Sequence, residues 1–242
     1  MNSRFLILIA LLGLPSLGYG QNPFGLLHDG HHIVSVGIHA NPSLNANADY
    51  LFAFEQKDGT FQRFGLMTQA NFPLFSQQGI DFDFRIGAGA LVGIASNFKA
   101  LMLLTWNFSR TADVNGQYFH TGLKIDVLPG YYGTNWAFAP HLSLSYQPFI
   151  HIEHSEYAKQ AFQNLYPSGS GSFTAPKNGW FYQTHLMIQT GVSVAYFQST
   201  WSLNLTAGFQ HQPNRFGLLL FPDLGILPFY GGLNFGYSMV AP

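Results

Sequence analysis

The stretch Ile80–Ala95, IDFDFRIGAGALVGIA, alternates from end to end. Ile80, Phe82, Phe84, Ile86, Ala88, Ala90, Val92 and Ile94 make one row; Asp81, Asp83, Arg85, Gly87, Gly89, Leu91, Gly93 and Ala95 make the other. Successive side chains of an extended chain point to opposite faces, so a period of two marks a strand with one apolar and one polar face. The pattern recurs on either side. Phe64, Leu66, Ala70 and Phe72 alternate with Arg63, Gly65, Gln69 and Asn71. Phe119, Leu123, Ile125 and Val127 alternate with His120, Gly122, Lys124 and Asp126, and Trp136, Phe138, Leu142, Leu144 and Tyr146 do the same against small and polar partners.

Extended along the chain, the alternation predicts ten strands, near residues 32–40, 47–56, 60–72, 80–95, 97–108, 117–129, 134–149, 180–197, 200–211 and 226–240. Most exceed the ~5–6 residues usual in soluble sheets and suit the ~9–11 residues with which a tilted strand crosses a membrane. The predicted connections alternate in length. Gln56–Gly59, Ala95–Asn97, Gly130–Gly133 and Gln198–Thr200 are short; Asn41–Ala46, Pro73–Gly79, Ser109–Gly116, Ile150–Gly179 and Gln212–Gly225 are longer. Trp106 and Trp180 fall near the long-loop ends of their strands, Trp136 and Trp201 near the short-turn ends, at the two levels where amphipathic rings meet lipid headgroups.

Composition points the same way. Charged residues are 9% of the 242 and aromatics 17%, with a mean hydropathy of +0.10. A soluble sandwich or lipocalin-like barrel would turn its polar rows to water and fill them with Lys and Glu; these rows hold Gly, Ala, Ser, Asn and Gln instead. With a formal charge of −1 nothing points to nucleic acid or to an acidic substrate, and no nucleic-acid partner is expected; the absence of Cys excludes disulfides and thiolate chemistry. Met1–Gly20 reads as a cleaved signal peptide: Arg4 is the positive end, Phe5–Leu14 the apolar core, and Gly18-Tyr19-Gly20 the cleavage site. Residues 21–31 then form a periplasmic N-terminal segment, and 32–242 the barrel, with a long extracellular loop at 150–179. Within that loop a helix is predicted over Ser155–Tyr166, capped by Ser155.

Taken together, the chain resembles bacterial outer-membrane β-barrels as a broad class. The resemblance implies an all-β, transmembrane, antiparallel up-and-down barrel of about ten strands, with short periplasmic turns, longer extracellular loops and a place in the bacterial outer membrane. Many members end on an aromatic residue; this sequence ends Val240-Ala241-Pro242, with Phe235 and Tyr237 further in.

With apolar rows toward lipid, strand charges point into the lumen: Glu55, Arg63, Asp81, Asp83, Arg85, Lys99, Lys124 and Asp126. Buried charge is costly unless paired, so a salt-bridge network is expected, centred on the periplasmic half, where Glu55, Arg63, Lys99, Lys124 and Asp126 are placed. His141, Ser143 and His185 are expected to add polar groups to the lumen. The small residues Gly87, Gly89, Gly93, Gly191, Ser193, Gly232, Asn234 and Gly236 are expected to leave room there. His28-Asp29-Gly30-His31-His32 and His151-Ile152-Glu153-His154 carry metal-ligating residue types but match no metal motif, so no metal, cofactor or catalytic residue is assigned. His141-x-Ser143 resembles the pair of outer-membrane lipid A deacylases, but it points into the lumen and no orienting carboxylate stands near it in sequence. The reading that follows is an integral outer-membrane barrel serving as a narrow passive channel for small solutes or ions. The alternatives are a non-conducting scaffold or subunit of an outer-membrane complex, and an outer-membrane lipid-modifying hydrolase. The expected partners are outer-membrane lipid and proteins of such a complex.

Overall fold

A computed structural model describes residues 32–41, 43–55, 60–74, 82–165, 177–211 and 229–239. Ten strands form a single closed sheet: β1 (His32–Asn41), β2 (Ser43–Glu55), β3 (Phe61–Pro73), β4 (Phe82–Gly93), β5 (Phe98–Asp113), β6 (Gly116–Tyr132), β7 (Trp136–His154), β8 (Gly179–Phe197), β9 (Trp201–His211) and β10 (Phe229–Met239). Each strand pairs antiparallel with its neighbours in sequence, and β1 pairs with β10, so the sheet has no free edge. Every expected strand is present. The expected signal peptide and residues 21–31 lie outside the described residues.

Two expected long connections are corrected. Asn41 pairs directly with Ser43, so β1 turns tightly into β2. Likewise β5 and β6 run on until Asp113 faces Gly116, leaving only Val114–Asn115 as the turn. Polar sequence there suggested loops, but the paired backbone is satisfied as sheet, and β5–β8 are therefore the longest strands. Between β7 and β8 lies α1 (Glu156–Leu165). Ser155 caps it: Ala158 N–H donates to Ser155 Oγ at 3.1 Å.

The exterior is apolar. Leu104, Ile125, Leu144 and Leu205 are exposed at mid-height, while the intervening rows are buried. Aromatic rings collect at both ends of this band. At the short-turn end Trp136, Tyr196 and Trp201 meet in series at 4.8 and 5.5 Å, and Phe54 stacks on Phe64 at 5.8 Å. At the other end Trp106 meets Phe108 at 6.3 Å and Phe209 meets Phe229 at 4.8 Å. Soluble proteins rarely expose apolar patches beyond a few hundred Å²; an all-round apolar wall between two aromatic girdles is the surface of a barrel that spans a membrane.

The two faces of β7 should therefore respond in opposite ways. Leu144→Arg, on the lipid face at mid-height, is expected to cost about 2–4 kcal/mol in urea unfolding from lipid vesicles. Its neighbour Ser143→Ala, which removes a buried hydroxyl with no partner among the described residues, is expected to be near neutral.

Candidate functional site

The lumen has two layers. Toward the short-turn end the inward rows turn apolar: Ile33, Leu51, Met67, Leu91, Leu101, Leu103, Leu128 and Phe197 form one buried cluster, joined by Ala53, Tyr132, Ala137, Ala139 and Ala195. Leu101 and Leu128 are 0% exposed. Side chains lining a water-filled channel would retain accessible surface, so this layer is a packed floor. The tetrad Leu101-Met102-Leu103-Leu104 and the pair Val127-Leu128 carried the signal for it. They break the alternation with apolar residues on both faces.

Above the floor the lumen is polar. Asp83 pairs with Arg85 at 2.5 Å, and Asn71 Nδ2 donates to the same Asp83 oxygen at 3.2 Å. On β6, Lys124 Nζ lies 2.9 Å from Asp126 Oδ1. His141 Nε2 is also 2.9 Å from Asp126 Oδ1, and Tyr230 Oη is 2.8 Å from His141 Nδ1. A carboxylate only accepts, so His141 Nε2 donates to Asp126, while Nδ1 shares a hydrogen bond with the Tyr230 hydroxyl. The result is a continuous chain, Lys124–Asp126–His141–Tyr230.

That chain runs along the inner wall from β6 to β10. His141, Gly191, Gly208 and Tyr230 occupy one register row over β7, β8, β9 and β10. A Cβ on Gly191 would stand 2.6 Å from the Tyr230 hydroxyl, and one on Gly208 would stand 2.8 Å from its ring. The phenol therefore lies flat over two glycines to reach β7. At this row the small residues do not leave an opening; they make room for a ring. From β2, Asn47 Nδ2 reaches over β1 to Asn234 Oδ1 on β10, 2.9 Å away, and also donates to Asp49 Oδ2 at 3.0 Å.

Of the sequence-predicted lumen residues, Arg63, Asp83, Arg85, Lys124, Asp126, His141 and Ser143 are buried inside, and Lys99 is half-buried on the inward row of β5. Asp81 lies outside the described residues, as do the side chains of Glu55 and His185; their strands place Glu55 opposite Arg63 and His185 opposite Gln147. Among the described residues the lumen's ion pairs include Asp83–Arg85 and Lys124–Asp126, and Asp126 stands opposite Leu103 of the apolar layer. The carboxylate missing beside His141 is Asp126, 15 residues away in sequence and one strand across. Sequence reasoning also passed over Asp49, although it falls in the polar row of β2. It passed over Tyr230 too, because aromatics were assigned to lipid. Among the described residues no group of three or more His, Asp or Glu is placed to hold a metal ion. His32 Nδ1 instead bonds Tyr50 Oη at 2.7 Å, and His154 bonds Asn178 Oδ1.

No family model and no curated protein matches the chain. Among solved structures it is similar to a KdgM porin, at 9% identity and a TM-score of 0.33, over 86% of this chain and 99% of that one. Likeness at that level transfers no solute and no mechanism, so function rests on the lumen itself.

Tyr230→Phe is expected to cost about 1–3 kcal/mol, because it leaves His141 Nδ1 buried without its partner. Gly191→Ala would set its Cβ 2.3 Å from the Ala207 carbonyl oxygen as well as 2.6 Å from the same hydroxyl, so it should cost more than Tyr230→Phe. Asp126→Ala, which removes the carboxylate from between Lys124 and His141, should also cost more, about 3–5 kcal/mol. Urea unfolding from vesicles reads all three.

Proposed function

We propose that this protein resides in the bacterial outer membrane as a closed, non-conducting barrel, with its short turns in the periplasm and its long-loop end outside. It acts there as a membrane-embedded scaffold or subunit that presents the outer ends of β5–β8 and α1. The observation that carries this reading is the apolar floor. Leu101 and Leu128 have no accessible surface, and an ion would have to shed its water to pass them. A ten-stranded lumen is narrow to begin with, between barrels of about eight strands that side chains fill and those of about sixteen that stay open. Here the apolar floor fills it near the short turns.

The passive-channel reading requires that floor to part. The hydrolase reading requires lipid to reach His141 and Ser143, which lie inside the wall, while the surface facing lipid carries Leu142 and Leu144. Both geometries favour the scaffold.

Planar-bilayer recording is the test. Wild-type protein should give no steady conductance, and the floor variant Leu101→Ser/Leu128→Ser should acquire one. Stable open steps from wild type would overturn the closed-barrel reading. Orientation is checked separately: protease added to intact cells should cut between residues 155 and 178, and cleavage only after permeabilisation would invert the topology.

A further inference from the structure

Strands β5–β8 rise furthest at the long-loop end, and their outward faces there line up in register. Phe108, Thr121, Phe149 and Tyr182 form one lateral row. Trp106 Nε1 donates to Thr121 Oγ1 at 2.7 Å, and the Phe149 and Tyr182 rings meet edge-on at 6.0 Å. This row belongs to the aromatic girdle. Two residues further out, on the same strands and the same face, the next row reads Arg110, Phe119, His151, Trp180.

Arg110 is held in place. Its Nη2 donates to Gln117 Oε1 at 2.9 Å, and its guanidinium carbon lies 5.9 Å from the centre of the Phe119 ring. His151 meets Phe119 and Trp180 edge-on at 6.0 and 5.1 Å, with Glu153 Oε1 3.9 Å from its Nδ1. Just beyond, Gln117, His151, Glu153, His154 and Asn178 line a cleft of about 540 Å³. Of the basic residues on described strands, Arg63, Arg85 and Lys124 are buried inside and Lys99 is on the inward row. Arg110 is the one that faces out, and it stands immediately above the girdle. Lys177, exposed, precedes Trp180 by three residues.

We propose that this row is a docking site for the phosphate of an anionic membrane lipid in the leaflet at the long-loop end, whose acyl chains run down the wall past Phe108, Trp106 and Leu104. The proposal rests on the membrane-barrel reading. A guanidinium offers phosphate a planar fork of donors that an ammonium cannot match. Gln117 and Phe119 hold that fork beforehand, so little side-chain freedom is lost on binding. Flanking rings fix the headgroup level, and anionic leaflets draw basic side chains to that level. The cleft above gives the polar part of the headgroup somewhere to sit.

The test is native mass spectrometry of the full-length barrel after reconstitution in phosphatidylcholine vesicles with and without phosphatidylglycerol, paired with the urea midpoint in each. Wild type should retain phosphatidylglycerol in preference to phosphatidylcholine, and its midpoint should rise with the anionic lipid. Arg110→Gln should lose both effects, and Arg110→Lys, which keeps the charge without the fork, should keep part of each. Equal phosphatidylglycerol retention by wild type and Arg110→Gln would overturn the site. Insertion is scored separately by heat-modifiable migration on detergent gels: failure of wild type to insert would overturn the membrane-barrel reading instead.

Discussion

Every backbone N–H and C=O of a strand in hydrocarbon needs a partner, because lipid offers none. Pairing β1 with β10 meets that demand for the whole sheet at once, and much else follows from it. Once the sheet closes, one face of each strand must suit lipid and the other a narrow interior. The exterior then has only to be apolar. The interior has to be filled by residues that happen to share ten inward rows, and the detailed chemistry is concentrated there.

The filling uses two devices. Near the short turns, aliphatic side chains interdigitate as they would in a soluble core, and each fully buried one contributes about 1.5–3 kcal/mol. At mid-height the rows are polar, and buried polar groups without partners cost about 1–3 kcal/mol each. Long side chains therefore reach sideways to distant partners. Tyr230 spans two strands to His141, and Asn47 reaches across β1 to Asn234. The reach of Tyr230 needs small residues beneath it. That links glycine placement on β8 and β9 to a tyrosine on β10, a dependence that no single strand displays.

The exterior and the strand count were legible in the sequence because alternation is local: Ile80–Ala95 declares both of its faces without reference to any other strand. The buried positions of Arg85, Lys124, Asp126 and His141 followed from the same parity. What parity does not encode is register and lateral reach. That Asp126 stands beside His141 was hidden because register depends on neighbouring strands. Gly191 looked like open space because the ring that covers it comes from residue 230. The polar stretches around Asn41–Ala46 and Ser109–Gly116 looked like loops because composition registers exposure to solvent, whereas those backbones stay paired beyond the apolar band.

The charged pairs themselves bear on how such an interior can be assembled. Asp83 with Arg85, and Lys124 with Asp126, are each two residues apart on one strand, on the same face and about 7 Å apart along it by strand rise. Each pair is therefore neutral within its own strand and needs no other strand to cancel its charge, which limits the cost of moving charge into a low-dielectric setting. Two hydrogen bonds among the described residues that need distant strands, His141 with Tyr230 and Asn47 with Asn234, both end on β10, the strand that also closes the seam with β1. The seam and both bonds can form only when β10 is in place beside β1 and β9. A hydrogen bond made in that step stabilises the closed barrel alone and offers nothing to an open sheet, so the polar lumen helps to make closure all-or-none.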